Sequence, residues 1–123
     1  MMKLTNLQIY NYYNQLANII QGITNSLPIK VNFYLQKNKN TLQELAIEIE
    51  KAKMEVGAKY GVANKEEGRY IIPQENMEIA QKELEDLFSL EQEVNIYKVD
   101  IDAFGDDLKL TIAEMEALMF MIN

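Results

Sequence analysis

The run "VDIDAFGDDLKL" sets four carboxylates, Asp100, Asp102, Asp106 and Asp107, close together in the chain. Oxygen ligands at that density are what a hard cation requires. Read as a strand, the segment projects Asp100 and Asp102 from one face, as a chelating pair would need. The calcium-loop template nevertheless fails. Counted from Asp100, its fifth position is Phe104 and its twelfth is Thr111, so a third carboxylate and the bidentate glutamate are missing, and Gly105 at the sixth is a lone match. The expectation is solvated strand-and-turn aspartates, with no metal and no cofactor.

Other chemistries are removed by residue type. The chain has no histidine, cysteine or tryptophan, which excludes serine–histidine triads, thiol nucleophiles, zinc-thiolate sites and imidazole acid–base work. Its glycines, at 22, 57, 61, 68 and 105, never cluster, so no loop cradles a phosphate. A protein that binds rather than catalyses is expected.

What it would bind is suggested by charge. Residues 1–73 carry nine Lys/Arg against six Asp/Glu, and residues 74–123 carry three against thirteen, giving +3 and −10 within a net charge of −7. An acidic half repels a phosphate backbone, so direct nucleic-acid binding is disfavoured and a protein with a basic surface is the expected partner. The candidate contact residues are Glu75, Glu78, Glu85, Asp86, Asp100, Asp102, Asp106 and Asp107. The basic part supports an alternative, in which Lys30, Lys37, Lys39 and Arg69 hold a small charged ligand such as a signalling nucleotide between protomers.

These residues need a scaffold, and 123 residues with 48% hydrophobic content suffice for one core. A single domain, 1–123, is expected. No run is long and apolar enough to span a bilayer, and the first residues lack a signal-peptide pattern, so the expectation is a cytoplasmic protein without membrane contact. The absence of cysteine fits a reducing compartment.

Thr5-Asn6-Leu7-Gln8 is a capping box, with Leu4 and Ile9 at the staple positions. Ile9, Tyr12, Leu16, Ile19 and Ile23 continue one stripe, predicting a helix from about Asn6 to Asn25. Its polar face, Asn6, Asn11, Asn14, Gln15, Asn18 and Gln21, has no charge. Such a face suits a covered surface, which makes self-association through the first helix an expectation, although AT-rich coding produces the same composition.

"LPIKVNFYLQKNKNTLQELAIEIE" admits two readings. Ile29, Val31, Phe33 and Leu35 alternate like a strand, whereas Val31, Leu35, Leu42, Leu45, Ile49, Ala52 and Val56 follow a helical stripe in which only Asn38 is out of place. The helical reading covers more of the chain and puts Pro28 in a first turn, where proline belongs. It predicts an antiparallel helical hairpin turning at residues 26–28 and stopping at Gly61. A polar loop over 62–68, an extended piece over 69–72 and a third helix from Gln74 to Ser89, with Met77, Ala80, Leu84 and Leu87 inward, follow. Glu93 to Ile101 reads as a strand with a bulge near Tyr97, paired with 69–72. A second capping box, Thr111 to Glu114, opens a terminal helix with Ile112, Met115, Leu118, Met119 and Ile122 inward, leaving Phe120 or Met121 exposed or covered by a partner. The fold class is mainly α with a small β element.

In order, "LPIKVNFYLQKN", "KYG…GRYIIP", "KELEDLFSLEQEVNIY" and "LTIAEMEALMFMI" make the chain resemble a family of small proteins encoded by tailed phages and prophages. That resemblance implies a phage origin and transfers no functional residue. Joined to the charge pattern, it gives the expected function: an acidic interaction protein that blocks a host or defence protein. An accessory role in virion assembly is the alternative from another class.

Overall fold

The computed structural model describes residues 1–23, 26–106 and 109–123. In chain order they form β1 (Met2–Thr5), α1 (Asn6–Ile23), α2 (Ile29–Tyr60), β2 (Val62–Asn64), β3 (Arg69–Ile71), α3 (Gln74–Ser89), β4 (Glu91–Val94) and α4 (Ile112–Leu118), with short 3₁₀ helices at Ile101–Phe104 and Met119–Met121. The protein is mainly helical with a small β component. Residues 29–36 are helical throughout.

The helical hairpin follows from its stripes. Ile9, Leu16 and Ile23 of α1 are buried with Val31, Leu35, Leu42 and Ile49 of α2, positions spaced by four or seven residues on one side of each helix. The Thr5 capping box forms: the Gln8 amide donates to Thr5 Oγ1 at 3.1 Å, and the Thr5 amide donates to Gln8 Oε1 at 2.9 Å. Pro28 precedes α2 and its carbonyl accepts from the Asn32 amide at 2.9 Å. The far end of α1, expected at Asn25, is described as helix to Ile23.

The strands differ from expectation. β4 is short and pairs antiparallel with β1, Met2 opposite Val94 and Thr5 opposite Glu91, while β3 pairs with β2 in a local hairpin. The described residues thus form two two-stranded sheets, and part of the expected polar loop is β2. Residues 69–72 are taken by their sequence neighbour, which costs little loop-closure entropy. Past Val94, which pairs with the first residue of β1, the chain turns to α2: Asn38, fully buried in the apolar stripe, donates through Nδ2 to the Tyr97 carbonyl and accepts the Tyr97 N–H, both at 2.8 Å. One primary amide supplies the donor and acceptor that a neighbouring strand would. Further on, Val99 bridges in parallel to Ile122.

The C-terminus needs a second correction. The Thr111–Glu114 capping box is present, but α4 gives way to a 3₁₀ turn at Met119. Tightening rotates the following side chains relative to an α-helix. Phe120 and Met121 are both buried, with Phe120 stacked on Tyr12 at 5.0 Å, whereas Ile112 and Met119 face outward at 80% and 64% exposure.

The core comprises β1, α1, α2 as far as Ile49, residues 94–104 and the C-terminal turns. Beyond it the packing changes. From Glu50 to Ser89, a segment described in full, Ala80 alone is buried. The last turns of α2, the β2–β3 hairpin and α3 thus form an arm of mostly surface contacts, which meets the core where Phe88 packs edge-on to Tyr10.

Candidate functional site

The arm begins where large apolar residues leave the inner stripe of α2. After Ile49 that stripe continues as Ala52 and Val56, both half-buried, so less apolar surface is removed from water. Glycine governs the next contact. Tyr70 of β3 lies on Gly57, where a Cβ would stand 3.4 Å from the Tyr70 ring. A Cβ on Gly61 would stand 2.5 Å from the Gly57 carbonyl oxygen, closer than side chains are tolerated, so the chain reverses there only with glycine.

α3 is fastened to the end of α2 by polar groups. Asn76 Nδ2 donates to the Tyr60 carbonyl at 3.0 Å, satisfying an acceptor at the end of α2. Glu83 accepts from Lys59 Nζ at 2.9 Å and from the Tyr60 hydroxyl at 2.8 Å on the same oxygen. The Lys59 and Tyr60 hydrogen bonds hold the Glu83 carboxyl below its ordinary pKa, and the bond to Glu83 raises that of Lys59. At its other end α3 is capped by Asn6, whose Nδ2 donates to the Leu87 carbonyl at 2.8 Å while its Oδ1 accepts from Gln92 at 2.7 Å.

Two surfaces result. The first is a groove of about 640 Å³ between α2, the hairpin and α3. Met54, Tyr70, Ile72 and Leu84 line its apolar part, and Lys53, Lys65 and Arg69 set positive charge around it, with Glu50 as the opposing carboxylate. Arg69 Nε is tethered to Glu67 at 2.7 Å, and the Glu50 carboxylate accepts from Tyr10 at 3.2 Å. The second is the outer side of α3, a shallow trough lined by Glu75, Glu78, Ile79, Lys82 and Glu85. These positions recur at three or four residues along one helical face. Among the described residues no cation pairs with Glu75, Glu78 or Glu85. Ile79 is 51% exposed in their midst, and Met77, expected inward, is half exposed.

The acidic residues named from sequence therefore divide into two groups. Glu75, Glu78, Glu85 and the exposed Asp86 belong to α3. Asp100, Asp102 and Asp106 follow Tyr97, which is fixed to Asn38, whereas the start of α3, with Glu75 and Glu78, is fixed to Tyr60 through Asn76. At about 1.5 Å per residue along α2, those anchors are roughly 33 Å apart, while Glu85 and Asp86 lie toward the other end of α3, where Leu87 meets Asn6. Asp107 lies outside the described residues. Asp100 and Asp102 do not share a strand face, since residues 101–104 wind into a 3₁₀ turn to bury Phe104, and Asp100 accepts from Asn123 Nδ2 at 3.1 Å. Among the described residues no three potential metal-ligating side chains converge.

The basic residues divide as well. Lys30, Lys37 and Lys39 lie on the first half of α2, and Arg69 is on the hairpin beside its end. Lys37 sits over the rings of Phe33 and Tyr97, 5.3 and 5.7 Å from their centres. Within one chain these four cations do not form one site. Lys53 and Lys65, which flank the groove, were not singled out by sequence, because nothing local marks a lysine whose neighbour is brought in by a hairpin.

No protein-family model, curated protein or solved structure matches the chain. No helix among the described residues is long and apolar enough to cross a membrane.

Proposed function

We propose that the protein is a non-enzymatic interaction protein that engages a basic surface of another protein through the outer side of α3. One observation carries this reading: on the outer side of α3, Ile79 stands exposed among Glu75, Glu78 and Glu85, none of which pairs with a cation among the described residues. Apolar side chains held outward around unpaired carboxylates are the composition of a contact surface, in which apolar area supplies affinity and charge supplies steering and register. The resemblance to phage-encoded proteins extends the proposal to a host or defence protein as the target, blocked by occupation of its binding surface.

The test is capture from bacterial host lysate with the wild-type chain and with Glu75→Lys/Glu78→Lys/Glu85→Lys, across a salt titration. The reading expects a partner retained at low salt, released as the Debye length shrinks, and lost in the charge-reversed chain at unchanged melting temperature. Equal recovery by both chains, or recovery indifferent to salt, rejects it.

A further inference from the structure

The groove and the α3 trough are complementary to each other. With Arg69 already paired to Glu67, Lys53 and Lys65 against Glu50 leave the groove lining +1, and Glu75, Glu78 and Glu85 against Lys82 give the trough −2. The apolar residues follow the same pattern, for Ile79 stands exposed among the trough carboxylates and the groove offers Met54, Tyr70, Ile72 and Leu84. We infer that the occupant of the groove is a second copy of this chain, which seats the outer side of its α3 there with Ile79 against the apolar part and Glu75 and Glu78 toward Lys53 and Lys65. This rests on the reading of the α3 outer side as a contact surface and adds that the chain carries its own complement.

The two surfaces lie on different sides of α3. Leu84, in the groove, is nine residues after Glu75 and five after Ile79, which at about 100° per residue turns it roughly half a turn and more than a third of a turn from them. A contact between unlike patches on opposed sides is head-to-tail, so assembly proceeds past a dimer to a ring or short chain. Exposed ion pairs are screened by salt, so the assembly is weak and salt-sensitive.

Charge exchange tests this. Sedimentation velocity of the full chain at low salt is expected to show mass rising with concentration past the dimer, and collapsing to monomer at 0.5 M NaCl. Lys53→Glu/Lys65→Glu and Glu75→Lys/Glu78→Lys, all at exposed positions, are each expected to remain monomeric, since one places like charges in both halves of the contact and so does the other. Mixed at equal concentration, the two variants regain assembly, because each supplies the complement the other lacks; a misfolded variant would not. Asn14→Arg/Asn18→Arg on α1 should leave assembly intact. A wild-type chain monomeric throughout, a mixture that stays monomeric, or loss of assembly in the α1 variant instead overturns the inference. A monomeric chain that still captures a basic partner would leave the proposed function standing while removing this one.

Discussion

Asn38 ties the middle of α2 to the segment after β4. It is fully buried, and its amide satisfies both backbone groups of Tyr97. Asn38→Ala leaves that donor and acceptor without their partner and is expected to cost on the order of 2–6 kcal/mol, from about one to three for each orphaned group. Asn38→Asp should also be poor, because a carboxylate accepts from the N–H but cannot donate to the carbonyl. A contrasting pair tests the helical assignment. Leu42 is fully buried, and Leu42→Ala should cost about 2–5 kcal/mol; Phe33 is 56% exposed under Lys37, and Phe33→Ala should cost about 1 kcal/mol or less. Denaturant midpoints at unchanged m-value measure both. Leu45, expected in the stripe, is half-buried, so its truncation falls between them. The stripe of α2 was legible because apolar spacing over thirty residues admits few solutions. Asn38 was visible as its one misfit, but its partner was not, since a hydrogen bond to the backbone of Tyr97 leaves no trace in residue type.

Among the elements, the end of α2 and the middle of α3 are joined by Lys59, Tyr60 and Glu83, and the direction of the pKa shifts gives a pH dependence. Glu83 titrates lower in the folded state, so its contribution is present above the ordinary carboxylate range and is lost as pH falls through the lowered value. Lys59 titrates higher, so its contribution is present below the ordinary lysine range and is lost as pH rises through the raised value. Stability of the α2–α3 junction is therefore greatest between the two, and Glu83→Gln should flatten the acid limb of the melting temperature against pH. The effect is small because the pair is exposed. Gly61→Ala acts on the same junction: the added Cβ meets the Gly57 carbonyl and Tyr70, and faster hydrogen exchange over residues 62–71 is expected. The helices were readable where two capping boxes and the prolines before α2 and α3 mark them. The strands were not, because three or four residues give too few alternations. β1 was hidden in front of a capping box, with Leu4 read as a staple, and its partner lies across the whole of the helical hairpin.

For the molecule as a whole, buried apolar contacts gather in one part and polar fastenings in the other. The core holds the fully buried side chains of α1, α2, β4 and the C-terminal turns, whereas the arm from Glu50 to Ser89 is tied by Asn76, Glu83, Asn6 and Ala80. Regions with few buried contacts open locally at lower free energy than the core. The charge asymmetry was legible in sequence, but its division into an α3 group and a group near the C-terminus was not, since it depends on where Asn38 and Tyr60 hold the two segments. The account predicts that the arm is a contact surface whose stability is completed by what it binds. Native-state hydrogen exchange, recorded on the chain alone at high salt and again with the captured partner, addresses that directly. Amides of residues 50–89 should exchange before those of α1 and the first half of α2, and the partner should slow exchange selectively in α3. Protection in the arm equal to that of the core, or partner-induced slowing confined to the α1 amide face or the Phe33–Tyr97 surface, would contradict it.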